Sequence, residues 1–176
     1  MAESQRGNLL IAAPSLFDWF RRTVVLVIEH NEEGALGVVL NRPTSARVAD
    51  AVPALAALAA DDELVRVGGP VAAETVLAVG DFDDPSDAAA TPVVGTLGVL
   101  DPERAPEGLR RLRVYAGHAG WGPGQLEGEL EQGAWIVEPA APEDPFRDDD
   151  LWSVALRRKG GRFRLIATMP ADPSLN

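Results

Sequence analysis

Only two histidines occur in the 176-residue chain, and cysteine is absent. A chain without thiols has no disulfide, no iron–sulfur cluster, no cysteine zinc site and no thiolate nucleophile. His30 lies between Glu29 and Asn31 at the end of an apolar run, and His118 lies in the glycine-rich stretch 117–124. Brought together beside a carboxylate, the two imidazoles could share a metal or run acid-base chemistry. Two histidines without ligand spacing more commonly close turns by hydrogen bonds to backbone, so no metal ligand and no catalytic residue is assigned.

The hexapeptide Gly120-Trp121-Gly122-Pro123-Gly124-Gln125 is the most unusual segment. Its glycines permit close backbone approach, and the indole offers a flat apolar face with one donor. The helix start that follows offers free N–H groups. Gly120, Trp121, Gly122 and Gln125 are therefore candidate ligand-binding residues. The competing reading, which packing statistics favour, makes Trp121 a core plug and the glycines a turn. Asn41-Arg42-Pro43 and Gly68-Gly69-Pro70 are two further strand ends of polar or glycine-rich character. They add Asn41, Arg42, Gly68 and Gly69 to the candidates, as the first histidine adds His30 and Asn31. Arg42 could pair with a carboxylate or phosphate, although a solvated charge is the commoner case.

Several chemistries lose their usual signatures. There is no G-x-x-x-x-G-K-[ST] loop, no G-x-G-x-x-G opening a helix after a strand, no G-x-S-x-G elbow and no H-E-x-x-H. The acidic runs 81–87 and 148–150 lack calcium-loop spacing and read as a solvated loop and a helix start.

The elements that must position these residues follow from hydrophobic patterning. Residues 9–12 and 23–29 read as buried strands, with a helical turn at 15–20 between them. A five-residue link, 30–34, leads into a strand at 35–40 that Pro43 ends, which is a hairpin signal. Residues 50–60 have helical spacing, and 65–67, 75–79 and 93–100 read as strands, with 81–90 a solvated loop. Residues 112–116 read as a strand entering the glycine-rich turn 117–124. A helix carrying Leu126 and Leu130 follows, ended by Gly133. A strand at 134–138, a helix at 151–156 with acids before it and bases after it, and a last strand at 163–167 complete the pattern. Mixed elements without regular strand-helix-strand alternation place the chain in the α+β class, as a single domain over 1–176 with terminal tails at 1–6 and 170–176.

Sixteen basic against 27 acidic side chains give a formal net charge of −11. That balance disfavours direct DNA binding and anionic membrane surfaces. The apolar run near the N-terminus is too short for a secretory signal, and no stretch is long enough to span a membrane, so the expected location is the cytoplasm.

Taken together, GNLLIAAPSL at 7–16, EHNEEGALGVVLNRPT at 29–44, VGGPV at 67–71 and AGHAGWGPGQLEGEL at 116–130 make the sequence similar to the AlgH/YqgE family of bacterial proteins. The resemblance covers about 7–156. It implies a mixed, largely antiparallel sheet curled into a barrel-like body with flanking helices. It also implies a regulatory role, the family being named for a regulator of alginate production in some bacteria, and it brings no established activity or cofactor. The family's glycine-tryptophan block falls on Gly120, Trp121, Gly122, Gly124 and Gln125, its histidine hairpin on His30, Asn31, Gly34 and Gly37, and its asparagine-basic-proline turn on Asn41, Arg42 and Pro43. Where relatives usually carry an aromatic residue in the glycine-rich turn, this chain has His118.

The expected function is a non-catalytic regulatory or ligand-binding one, exerted through a small effector or a protein partner and without a cofactor. The alternative is a small-molecule hydrolase using His30 and nearby carboxylates. Whether His30, Arg42 and Trp121 surround one pocket separates the two.

Overall fold

Apolar β-branched runs become the sheet. The computed structural model describes residues 3–16, 18–84, 90–101 and 106–170. β1 (Asn8–Ala12) and β2 (Val24–Asn31) pair antiparallel, and the hairpin from β2 to β3 (Gly34–Val39) forms as expected. His30 and Asn31 belong to β2, opposite Ala35 and Gly34, so the link is only Glu32-Glu33. A bulge at Ile28 lies between the paired Val27 and Glu29.

Two further strands were not foreseen at their observed extent. β4 (Pro43–Arg47) pairs with β5 (Leu64–Val67), and β6 (Val71–Phe82) reaches well beyond the expected 75–79. The run 93–100 is two strands, β7 (Ala90–Val94) and β8 (Leu97–Leu100), turning at Gly95-Thr96. β9 (Leu109–Trp121) continues through most of the supposed glycine-rich turn, because β6 pairs with it at His118 and β3 at Ala119, Gly120 and Trp121, while Gly117, with φ of +76°, lies unpaired in a register shift. β6 runs antiparallel along it, β3 takes its last residues, and β5 lies parallel to it at Arg66↔Tyr115 and Val67↔Ala116. β10 (Trp135–Pro139) pairs with the free side of β1.

The main path of the sheet runs β10-β1-β2-β3-β9-β6-β8-β7 and does not close. This corrects the barrel-like body implied by the resemblance. β7 meets the residues just before β1 through scattered contacts instead of a ladder: Arg6 donates to the Pro92 carbonyl, and Gly7 lies against Val94. Pro92 itself has no N–H to donate.

The helices are short. Residues 48–55 form α1 (Val48–Ala51) and a 3-10 turn (Pro53–Leu55), correcting the helix expected at 50–60. Proline at 53 would remove the i→i−4 bond of a continuous helix. α2 (Gln125–Glu131) and α3 (Leu151–Lys159) match expectation; Asp150 caps α3 by accepting from the Ser153 amide. Residues 163–167 are not a strand. They form α4 (Phe163–Ile166) with its cap, the Ala167 amide donating to the Phe163 carbonyl. The turn expected at 15–20 is irregular, with Phe17 outside the described residues.

The acidic stretch 81–90 is a solvated loop only in part: Asp83 and Asp84 are exposed and outside any strand, whereas 81 and 82 belong to β6 and 90 to β7. Asp81 is buried in β6 and bound by Arg111, whereas 85–89 lie outside the described residues. The buried side chains fall into three clusters. One lies under α3 around Trp152, a second joins Trp121 and Trp135 to α2, and a third surrounds Phe82 and Val114. Trp152 fastens α3 to β1 by donating its indole N–H to the Ala12 carbonyl at 2.8 Å. The architecture is a mixed, mainly antiparallel sheet with a few helices in one domain.

Candidate functional site

The β2 end places His30 with its side chain 4% exposed. Its Nδ1 accepts the Gln5 amide at 2.9 Å, which leaves Nε2 to donate to Glu127 Oε1, also at 2.9 Å. That bond holds the Glu127 carboxyl below its ordinary value. Both ring nitrogens are thus committed. Asn31 accepts from the Glu33 amide and shapes the hairpin turn. Among the described residues no group of three or more His, Asp or Glu side chains is placed to hold an ion.

Trp121 ends β9 and is buried. Its indole N–H donates to Glu129 Oε1 at 3.0 Å, Trp135 donates to the same oxygen at 2.9 Å, and Phe20 packs on both rings. Gln125 joins the Gly122 amide to Glu129 Oε2, and Gly120 and Gly122 are exposed at the edge. A shallow depression of about 190 Å³ touches Trp121 and Asn31 but not His30 or Gln125. This arrangement is the one expected of a core plug.

Asn41 spans two strands: its side chain accepts the Val24 amide and donates to the Arg22 carbonyl. Arg42 lies over the Trp19 ring at 4.3 Å and donates to the Arg21 carbonyl; burial pushes its guanidinium below its ordinary value. Gly68 and Gly69 are buried where β5 leaves β9. A Cβ at Gly68 would overlap the Gly117 carbonyl and one at Gly69 the His118 backbone, so these glycines allow a backbone crossing. His30, Arg42 and Trp121 therefore do not surround one cavity. The Arg42–Trp19–Phe20–Trp121 series of ring contacts links two of them along a packed surface.

A polar cleft of about 540 Å³ lies elsewhere, between β4, β5, β9 and the segment before α3. Of the sequence candidates only Asn41 lines it. Its principal groups are Arg66 and Arg113, whose side chains are 7% and 11% exposed. Arg113 donates to Glu63 Oε1 at 2.9 Å and to the Phe146 carbonyl. Both arginines reach Asp148 Oδ1, at 3.1 Å from Arg66 and 3.2 Å from Arg113, although Asp148 is 80% exposed. Burial pushes the Glu63 carboxyl up, against the pull of Arg113 and Arg66. Beside Arg66 in the ladder, Tyr115 is fully buried, and burial raises its phenol. Arg66 Nε and the Tyr115 hydroxyl are buried without a hydrogen-bond partner among the described residues. Such atoms are uncommon, because an unpaired buried polar group costs about 1–3 kcal/mol.

None of Glu63, Arg66, Arg113 and Tyr115 stood out in the sequence. The available signal was an arginine inside each of two apolar strand runs, LVRV and LRVYA, since arginine is rarely buried unpaired.

Comparison with known proteins agrees with this architecture. A family profile described as AlgH-like matches residues 9–164. A UPF0301 protein of Streptomyces coelicolor is 45% identical over 98% of this chain and 96% of its own length. The crystal structure of a Corynebacterium diphtheriae protein aligns with a TM-score of 0.85 at 33% identity, covering 95% of this chain and 93% of the other. The solution structure of the AlgH protein from Pseudomonas aeruginosa aligns with a TM-score of 0.70 at 28% identity, covering 97% and 98%. With most of its length matched by profile, sequence and fold alike, the chain belongs to the AlgH-like family.

Proposed function

We propose that this protein is a non-catalytic regulator that binds a small ligand in the cleft between β5 and β9 and acts in the cytoplasm through that effector or a protein partner. The observation that carries the reading is the pair of nearly buried guanidiniums, Arg66 and Arg113, facing an open cleft of about 540 Å³. Ligand sites are concave, of this size, and carry a few convergent polar groups. The net charge of −11 argues against direct DNA binding, and no cofactor enters the reading. Among the described residues no helix is long and apolar enough to cross a membrane.

The test is a thermal-shift screen of anionic, neutral and cationic metabolites, followed by NMR mapping of any hit. A ligand at one hundred times its Kd adds about 2.7 kcal/mol, or roughly 5 to 10 °C for a domain of this size. Perturbations gathered on the cleft residues are expected. Hits that all map elsewhere, or no hit at all, would reject the reading.

The second reading, acid-base hydrolysis at His30, draws on the 2.9 Å contact between His30 and Glu127. It is the weaker one, because the imidazole is buried and Nδ1 is already occupied by the Gln5 amide.

A further inference from the structure

We infer that the ligand of this cleft is a small anion, a carboxylate or a phosphate, which takes the place of the Asp148 carboxylate between Arg66 and Arg113. The inference rests on the reading of the cleft as the ligand site and adds the ligand's charge and its mode of entry.

The charges are unevenly placed. Two guanidiniums form the floor, and the one comparably buried acid beside them is Glu63, 14% exposed and bound to Arg113. The other acids lining the cleft, Asp62, Asp148 and Asp149, are exposed at its rim. Water and salt screen rim charges far more than buried ones. Asp149 is in addition held by Arg147 through two bonds of 3.1 Å. The floor is thus one buried negative charge short, and an 80% exposed aspartate supplies the difference with a single oxygen.

That contact is easily exchanged. Asp148 sits between Arg147 and Asp149, which pair with each other across it, and two residues before the helix cap Asp150, so its neighbours are held and a side-chain rotation is enough to free it. An incoming anion would meet Nη2 of Arg66 and Nη2 of Arg113 in the positions Asp148 now uses. A planar carboxylate or a phosphate presents more than one oxygen to such donors, where Asp148 presents one. Arg66 Nε, unpartnered on a residue that lines the cleft, is one more donor beside it; Tyr115, its neighbour in the ladder, is buried behind the cleft and does not line it. A donor left unpartnered on a guanidinium that already faces the cleft is what a site for an additional acceptor requires.

The experiment is calorimetric titration of the full chain and of Asp148→Asn at low, fixed ionic strength. The probes are inorganic phosphate and succinate, with choline and glucose as cationic and neutral controls; NMR of the arginine Nε–H resonances reports the location. Asp148 is exposed, so the variant should fold, and circular dichroism checks this. Phosphate or succinate should bind with one-to-one stoichiometry, shift the Arg66 and Arg113 signals, and bind Asp148→Asn about two- to fivefold more tightly, the scale of one exposed competing ion pair. Unchanged or weaker binding to Asp148→Asn, or no binding of either anion to either protein, would overturn the inference. Choline or glucose binding in the cleft where the anions do not would overturn it while leaving the proposed function standing. Failure of every compound to reach the cleft, in this titration and in the wider screen, would remove both.

Discussion

Trp121 and Trp135 are tied to each other through one atom. Both indole N–H groups donate to the same Glu129 oxygen, at 3.0 and 2.9 Å, while their rings meet edge to face with centroids 6.2 Å apart. The last residue of β9 and the first of β10 are thereby pinned to α2, so Glu129 organises the cluster. Glu129→Ala would leave two buried donors unpaired, each costing about 1–3 kcal/mol. A loss of about 2–4 kcal/mol is expected by urea titration. Trp121→Ala, which empties the space as well, should cost about 3–5 kcal/mol. Mild effects at both positions would reject the packing role.

Gln125 provides the contrast on the same helix. It is exposed, and its two bonds, to the Gly122 amide and Glu129 Oε2, both lie where water can replace it. Gln125→Ala should stay within about 0.5 kcal/mol of the parent in the same titration.

The sequence revealed local structure well where a turn residue and a strand run coincide. The β2–β3 hairpin was legible for that reason, and helix α3 was legible from the acids before it and the bases in its last turn. β9 was not, because G-H-A-G-W-G has the composition of a turn, and it is pairing with β6 at His118 and with β3 at Ala119, Gly120 and Trp121 that makes the stretch a strand. The short apolar run in α4 was ambiguous: its length fits a strand, and packing against α3 after Gly160-Gly161 makes it helical. The cleft was hidden for a topological reason. Arg113 meets Glu63 from 50 residues away and Asp148 from 35, and the parallel placement of β5 on β9 brings Arg66 to the same floor. Trp121 attracted attention by its glycine neighbours, yet Gly120 and Gly122 are exposed and uncrowded, while the indole itself is packed in the core.

Asp144 is the most enclosed carboxylate in a described ion pair. Its side chain is wholly buried, receives Arg158 through two bonds of 2.9 and 2.5 Å, and accepts the Ala141 amide. Removing one partner of a buried pair strands the other charge, typically at about 3–5 kcal/mol. Arg158 is 29% exposed, so water can recover part of that loss. Arg158→Met is expected to lower stability by about 3 kcal/mol in a chemical denaturation curve; a change below about 1 kcal/mol would show that Asp144 does not depend on this partner.

The His30–Glu127 bond predicts a direction in pH. Hydrogen bonding from His30 lowers the folded-state value of Glu127 from its ordinary 4.5. The unfolded chain therefore holds this proton more tightly, and the group's contribution is present above about 4.5 and fades as pH falls through the lower folded value. Carboxyl-detected NMR should place the Glu127 titration below 4.5 and move it back toward 4.5 in His30→Ala. An unchanged titration in that variant would detach the shift from the imidazole.

Two glycines with the same backbone angle separate conformational strain from crowding. Gly117 and Gly124 both have φ of +76°, in the left-handed region that costs other residues about 1–2 kcal/mol. At Gly124, which precedes α2, an added Cβ meets nothing within 4 Å. At Gly117 it would overlap the Gly69 carbonyl oxygen and press on the Val71 carbonyl at 3.0 Å, where β9 crosses the chain leaving β5. These obstacles are backbone atoms, which cannot rotate aside, and forced shifts of this kind cost about 1–3 kcal/mol or more. Gly124→Ala should therefore lose only the conformational term, about 1 kcal/mol, while Gly117→Ala should lose at least twice as much. Because Arg66 and Tyr115 are paired within three residues of that crossing, Gly117→Ala should also shift the arginine Nε–H signals of the cleft, and Gly124→Ala should not. Equal losses in the two variants would mean that the crossing of Gly68-Gly69 over Gly117 is not close-packed, and the rigid floor beneath the two arginines would lose its support.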